Sequence, residues 1–256
     1  MQRYFVPTAN WQAHEVVITG DDIHHITRVM RYKIGDRIIC NHPDGQAAVC
    51  TITEIEAEAI QSRVVEWLEE STELPVLVTI AQGLPKGDKL DLILQKGTEL
   101  GAHAFIPFQA ERSVVVWDNK KIDKKMLRFG KIVKEASEQS HRNRIPEIKQ
   151  PMNLSSLIEE SQHFDVKLFA YEEEAKTADH ESFGTVIQKV NDKQHVLVCI
   201  GPEGGFSTQE AEKLREAGFY SVRLGPRILR TETAAMYVLA SISYHFEELG
   251  CNECQQ

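Results

Sequence analysis

The residues best suited to chemistry lie in two short stretches of this 256-residue chain. The first is Gly201-Pro202-Glu203-Gly204-Gly205-Phe206-Ser207, directly after the apolar run from His195 to Ile200. The second runs Leu224-Gly225-Pro226-Arg227-Ile228-Leu229-Arg230-Thr231-Glu232-Thr233, directly before a long apolar segment. Three glycines in five residues let a backbone approach something that side chains would exclude. Ser207 with Glu210 three residues on spells a capping box, and Gly218 a helix stop. The first loop lacks G-x-x-x-x-G-K-[ST] and G-x-G-x-x-G, has no Lys, and carries Glu203, which would repel a pyrophosphate. It suits a neutral or cationic ligand held by backbone groups. In the second stretch Arg227, Arg230 and Glu232 stand among apolar residues, where charges are costly to bury unless paired or used. Arg230 and Glu232 are therefore either a salt bridge on a solvated turn or parts of a site.

The elements that must position these loops read as an α/β fold. The β-branched run before Gly201 predicts a buried strand. Val76–Ile80, Phe105–Phe108, Val114–Val116 and Val166–Tyr171 have the same composition. Asp88 is expected to cap a helix bearing Leu90, Ile93, Leu94 and Leu100, stopped by Gly101. A last helix is expected from Thr233 to Leu249. Strands separated by amphipathic helices predict a largely parallel sheet with helices on its faces. Ligands in such sheets sit beyond the carboxyl ends of the strands. The strand ends near Tyr171, Gly201 and Leu224 are thus expected to converge, with acidic Glu172–Glu174 in the loop after Tyr171.

Residues 1–72 read differently, as a small β-rich unit. Strands are expected at Tyr4–Val6, Val16–Ile18, Arg37–Cys40, Ala47–Ile55 and Ala59–Trp67, with a hairpin turn at His42-Pro43-Asp44-Gly45. A short helix over Asp21–Met30 would gather Ile23, Ile26, Val29 and Met30 on one face, Arg28 and Arg31 leaving together. The polar stretch ending in Pro75 puts a boundary at 72/73. A basic helix over Asp123–His141 should bury Met126, Leu127, Ile132 and Val133.

Composition bounds the function. With 42% apolar and 26% charged residues the chain is an ordinary globule. No run of 18 apolar residues occurs, so no membrane span is expected. The start lacks a signal peptide's pattern, and five sparse cysteines form no disulfide framework, so a cytosolic compartment is expected. Cys251 and Cys254 have metal spacing without a second pair, and no metal is expected. A net charge of −9 argues against indiscriminate nucleic-acid binding. From Arg112 to Lys149, however, 11 basic residues face 5 acidic ones, a local basic segment on an acidic body. Arg142 and Arg144, beyond the basic helix and before Pro146, could follow a phosphate backbone.

GPEGGFSTQE followed by LGPRILRTETA resembles the SPOUT superfamily of methyltransferases, and most the family of 16S ribosomal RNA uridine N3-methyltransferases, the small-subunit methyltransferase E family. Lys86-Gly87-Asp88, Lys96-Gly97-Thr98-Glu99-Leu100-Gly101, Glu111-Arg112-Ser113-Val114 and Glu135-Ala136-Ser137-Glu138-Gln139-Ser140 stand in the family's order, so the resemblance runs over nearly the whole chain. Gly97 departs from it where a helix-favouring Ala is expected, a cost of about 1 kcal/mol. The resemblance implies a PUA-like RNA-binding barrel over residues 1–72 and a trefoil-knotted SPOUT domain over 73–256, working as a homodimer on 16S rRNA of the small ribosomal subunit. It implies S-adenosylmethionine as cofactor, held by Tyr171, by Ile200, Gly201, Pro202, Glu203, Gly204 and Gly205, and by Leu224, Gly225, Arg227, Ile228, Leu229 and Thr233. A sulfonium ligand without phosphate matches a glycine loop that carries an acid. Catalysis falls to Arg230 first and Arg112 second, with Glu232 holding Arg230 or accepting a proton. RNA contacts fall to Arg3, Arg28, Arg31, Arg142 and Arg144. The alternatives are a non-catalytic RNA-binding or assembly protein, and a ribose 2′-O-methyltransferase on the same fold.

Overall fold

Every strand pairing in the larger sheet is parallel, as the strand–helix alternation predicts. The computed structural model describes residues 1–69, 71–171 and 181–250. It divides into two units, Met1–Glu73 with Lys134–Ile145, and Leu74–Val133 with Pro146–Gln256. The Lys134–Ile145 excursion is a long-range association that a linear boundary at 72/73 does not contain.

The second unit holds β7 (Leu77–Gly83), α2 (Lys89–Glu99), β8 (Ala104–Gln109), the start of α3 (Asn119–Gln139), β9 (Glu147–Ile148), β10 (Met152–Asn153) and α4 (Leu154–Glu160). It continues with β11 (Val166–Ala170), β12 (Glu181–Ser182), α5 (Phe183–Ile187), β13 (His195–Ile200), α6 (Thr208–Glu216), β14 (Tyr220–Arg223) and α7 (Thr231–Ser243). The strand order is β10-β8-β7-β13-β11-β14-β12, with β9 also on β8. Because side chains alternate along a strand, each face carries its own core. Val78, Ile80, Val196, Val198 and Leu168 face α2, α5 and α7, with Leu94, Val186 and Leu239 among their partners. Ala81, Ile106, Leu197, Cys199 and Phe169 face α4 and α6, through Leu157, Ala211 and Leu214. In register, Ile200 lies beside Gln82 on one side and Ala170 on the other, and Ala170 beside Val222. The ends of β11, β13 and β14 therefore adjoin, and β7 adds a fourth end.

Several expectations change here. Val114–Val116 is not a strand: both Val114 and Val116 are more than 70% exposed. Asp88 takes the N-cap position of α2 but makes no side-chain hydrogen bond there. In α3, Leu127 is 73% exposed and Phe129 is buried, because Phe129 follows Met126 by three residues and precedes Val133 by four on one face, whereas Leu127 points about 100° away from Met126. Gly97 has its own reason: a Cβ would come within 2.7 Å of the buried Phe105 ring. The regular part of the last helix ends at Ser243 and continues as a wider turn over Tyr244–Leu249.

The first unit curls six strands in the order β1-β4-β5-β6-β3-β2: β1 (Arg3–Phe5), β2 (Trp11–Gln12), β3 (Glu15–Ile18), β4 (Arg37–Asn41), β5 (Ala47–Ile55) and β6 (Ile60–Leu68). The hairpin predicted at His42–Gly45 joins β4 and β5. The expected helix is α1 (Asp21–His24) running into a π turn over His25–Val29. That widening rotates the apolar residues apart, so Ile26 is buried while Val29 and Met30 are exposed.

Candidate active site

The glycine loop is pinned at both ends. Gly205 has φ +65, which glycine alone adopts readily, and its N–H closes the turn on the Pro202 carbonyl at 2.9 Å. The capping box that follows is present as read. Ser207 Oγ accepts from the Glu210 N–H, and Glu210 Oε2 accepts from the Ser207 N–H. Ser207 Oγ also donates to Glu111 Oε2 at 2.6 Å, while the Glu111 N–H donates to Glu210 Oε1 at 2.8 Å. The Glu111-Arg112 segment is thereby fastened to the loop. Arg112 donates to the Gly204 carbonyl at 3.1 Å. A Cβ at Gly204 would fall 2.9 Å from that of Arg112, so Gly204 makes room for a neighbouring arginine.

Two buried residues that sequence reasoning passed over connect the loops. Thr231, first residue of α7, donates its hydroxyl to the Gly201 carbonyl at 2.7 Å. Gln82, fully buried at the end of β7, donates to that hydroxyl at 2.8 Å and to the Gly83 carbonyl at 2.9 Å. Gly83 lies so close to Pro202 that a Cβ would sit 2.7 Å from the proline ring. The only signal for Gln82 was a polar residue closing an apolar strand.

Charge around the loop is shared with α2. Lys89 reaches Glu203 at 2.8 Å and Glu232 at 3.4 Å. The Lys86 N–H adds a bond to Glu203 at 3.1 Å. Partial burial pushes the Glu203 carboxyl up, but the Lys89 and Lys86 donors outweigh it and hold it below the usual range. Its hydrogen bond to Glu203 raises Lys89 in turn. Of the two readings of Arg230 and Glu232, the salt bridge between them is not formed: Glu232 faces Lys89, and the Arg230 guanidinium makes no hydrogen bond or ion pair among the described residues. Glu232 Oε2 is buried without a hydrogen bond, the 3.4 Å contact being an ion pair only.

Around the second loop, Leu224 and Leu229 are half-buried against the core, whereas Arg227, Arg230 and Thr233 are exposed and Ile228 is 81% exposed. Two residues expected at the cofactor are turned away. The Tyr171 ring is buried beneath α6 with Arg215 over it at 5.5 Å, and the Ile200 side chain lies in the opposite core. Either can offer a ligand only its backbone. Glu172–Glu174, Cys251 and Cys254 lie outside the described residues. Among the described residues no group of three or more metal-ligating side chains occurs, and no helix is long and apolar enough to cross a membrane.

In the first unit the five arginines expected at RNA separate into two kinds. Arg28, Arg31 and Arg144 are exposed. Arg3 and Arg142 are not available: they are 6% and 3% exposed and act inside the unit. Arg142 pairs with Glu73 and gives its carbonyl to Asn41, while Arg3 reaches Asn41 and Asn143. A buried guanidinium needs such partners; Arg142 has the Glu73 carboxylate, while Arg3 has amide oxygens on one nitrogen and its buried Nε makes no hydrogen bond.

Residues 72–243 match the RNA methyltransferase domain and residues 18–65 the RNA methyltransferase PUA domain. Fold and site thus define an RNA methyltransferase of SPOUT type with an amino-terminal PUA-like domain. The ribosomal RNA small subunit methyltransferase E of Bacillus subtilis is 47% identical over 252 residues, covering 97% of this chain and 98% of that protein. The Mycobacterium tuberculosis protein of that name is 31% identical over 93% of this chain and 90% of its own length. The chain belongs to the ribosomal RNA small subunit methyltransferase E family. A crystal structure of such an enzyme from Neisseria gonorrhoeae, bound to S-adenosyl methionine, superposes with a TM-score of 0.84 at 28% identity, covering 96% of this chain and 98% of that one. A methyltransferase from Legionella pneumophila in complex with its cofactor SAM gives 0.82 at 29%, covering 95% and 97%.

Proposed function

We propose that the protein transfers a methyl group from S-adenosylmethionine to N3 of a uridine in 16S rRNA of the small ribosomal subunit. The observation that carries this reading is the joining of GPEGG to RTETA by Thr231 and Lys89, beside a second loop whose apolar Ile228 stands unpacked. These residues fit the cofactor. Backbone groups of Gly201–Gly205 and Gly225 would hold its polar edges, and Leu224, Ile228 and Leu229 would cover an adenine. When bound, it supplies an electrophilic methyl group on a sulfonium. Exposed Arg227 and Thr233 border the same space.

The chain's own residues supply the rest. Uridine N3 carries a proton and is a poor nucleophile until it leaves. Arg230, whose guanidinium is uncommitted, stabilises the anion spread over N3, O2 and O4, the electrostatic role that preorganised donors fill best. Glu232 accepts the proton. Arg112, which donates to the Gly204 carbonyl, orients the base. N3 lies on the Watson–Crick edge, so the target must be unpaired or flipped out. Arg28, Arg31 and Arg144 take phosphates. Exposed Ile228, Tyr237 and Tyr244 support a homodimer in which a second copy covers them. The trefoil knot and a cytoplasmic site of action belong to the same proposal. Incubation with methyl-labelled S-adenosylmethionine and undermethylated small subunits tests it: label should enter the 16S rRNA, and absence of transfer would reject the reading.

A further inference from the structure

Lys89 stands where a helix does not favour it. The first turn of a helix carries partial positive charge, which disfavours a lysine and favours acids. Asp88, at the N-cap, makes no side-chain hydrogen bond that would compensate. Yet the Lys89 ammonium lies 2.8 Å from Glu203 and 3.4 Å from Glu232, between the glycine loop and the first turn of α7. The two carboxylates are not held alike. Glu203 has a second donor, the Lys86 N–H. Glu232 Oε2 is buried and makes no hydrogen bond, so Lys89 is the cation that keeps this carboxylate in place. One ammonium thus joins the segments Lys86–Lys89, Gly201–Gly205 and Arg230–Thr233.

We propose that Lys89 is a positioning residue for methyl transfer, acting through Glu232: it fixes the carboxylate that takes the uridine N3 proton. This rests on the function proposed above. The N3–H bond breaks with its proton passing to a Glu232 oxygen, and the electron pair left on N3 forms the bond to the methyl group. The methyl would leave a sulfonium whose sulfur keeps the broken bond's pair as a neutral thioether, and Lys89 itself neither gains nor loses a proton. Reactions that depend on alignment are sensitive to small displacements, and an error of about 1 Å costs on the order of 10²-fold in rate.

The test compares wild type with Lys89→Met, Lys89→Arg, Glu232→Gln and the Lys89→Met/Glu232→Gln double variant. Each is assayed for kcat on undermethylated small subunits and for S-adenosylmethionine affinity by calorimetry. Lys89→Met should lose on the order of 10²-fold in kcat with cofactor affinity little changed. Lys89→Arg should recover most of the rate. In the double variant the lysine should matter no further, so its rate should match that of Glu232→Gln alone. Lys89→Gln serves the same purpose if the methionine variant misfolds. Multiplicative losses in the double variant would overturn the proposal, as would a fall in cofactor affinity that accounts for the whole effect. An inactive wild type would reject the function and this proposal with it; an active wild type with additive variants would reject only the role of Lys89.

Discussion

Arg230 is exposed at the N-cap of α7, its carbonyl taking the Ala234 N–H at 2.8 Å while its side chain stays uncommitted. A bracing arginine would have found its acid, and Glu232 has found Lys89 instead. If the guanidinium stabilises charge only in the transition state, Arg230→Ala should lower kcat by about 10²–10³-fold, with cofactor and RNA affinities little changed. Steady-state kinetics beside calorimetry would show it, and a loss confined to cofactor affinity would count against it. Lysine should rescue poorly, having no planar fork. At this scale the candidate residues stand out in the sequence, because arginines in an apolar loop are costly to bury unless paired or used. Lys89 and Gln82 stay hidden because their partners lie 114 and 149 residues away. Arg3 and Arg142 mislead for the same reason: nothing local announces that Asn41, Asn143 and Glu73 will surround them.

Among the elements, the join between β13 and α6 was the most legible, since its capping box is written in four consecutive residues. Removing the cap with Ser207→Ala should cost about 0.5–2 kcal/mol of stability, as N-cap losses do. The same change frees Glu111, so cofactor affinity should fall as well, and chemical denaturation with calorimetry separates the two effects. Intact affinity would mean that the Glu111–Ser207 link does not shape the loop. The buried strands of the parallel sheet were legible for a different reason, their unbroken β-branched runs. Val114–Val116 has that composition too, yet it lies outside the sheet with Val114 and Val116 exposed, so composition alone does not make a strand. The π turn after α1 could not be read, since the sequence is compatible with a regular helix and tertiary packing chooses the wider one.

Across the molecule a net charge of −9 disfavours indiscriminate RNA binding, so individual exposed arginines matter. Replacing Arg28 and Arg31 together by alanine should weaken RNA binding and lower its salt-dependence slope by about one for each phosphate left without its arginine. Cofactor affinity should not move. Unchanged RNA binding at both low and high salt would return these residues to plain surface. Glu138 makes a second prediction in the same unit. It faces Lys134, Asp22 and the Phe5 N–H, and burial, the largest influence, pushes its carboxyl up to about 7 from 4.5 despite Lys134. Below the lower value both folded and unfolded chains are protonated there, and no penalty arises. As pH rises between the two values the unfolded chain ionises first, so stability is lost across that window. Glu138→Gln should therefore stabilise the protein more at about pH 8 than at about pH 4, by roughly 1–3 kcal/mol. A pH-independent difference would contradict this. That Lys134–Ile145 belongs with the amino-terminal strands was illegible, because a composition boundary cannot show a segment returning from further along the chain.

The position of the transferred methyl group decides between base and ribose methylation. Undermethylated small subunits would be incubated with the protein and labelled S-adenosylmethionine, and the 16S rRNA then digested to nucleosides and mapped by mass spectrometry. The expected result is a single labelled uridine with the methyl on the base at N3, lost with Arg230→Ala. A methyl on a ribose 2′ oxygen would contradict it, because that acceptor needs no anion spread over N3, O2 and O4. So would unlabelled RNA that the protein nevertheless binds, the behaviour of an assembly factor that keeps the fold without the reaction.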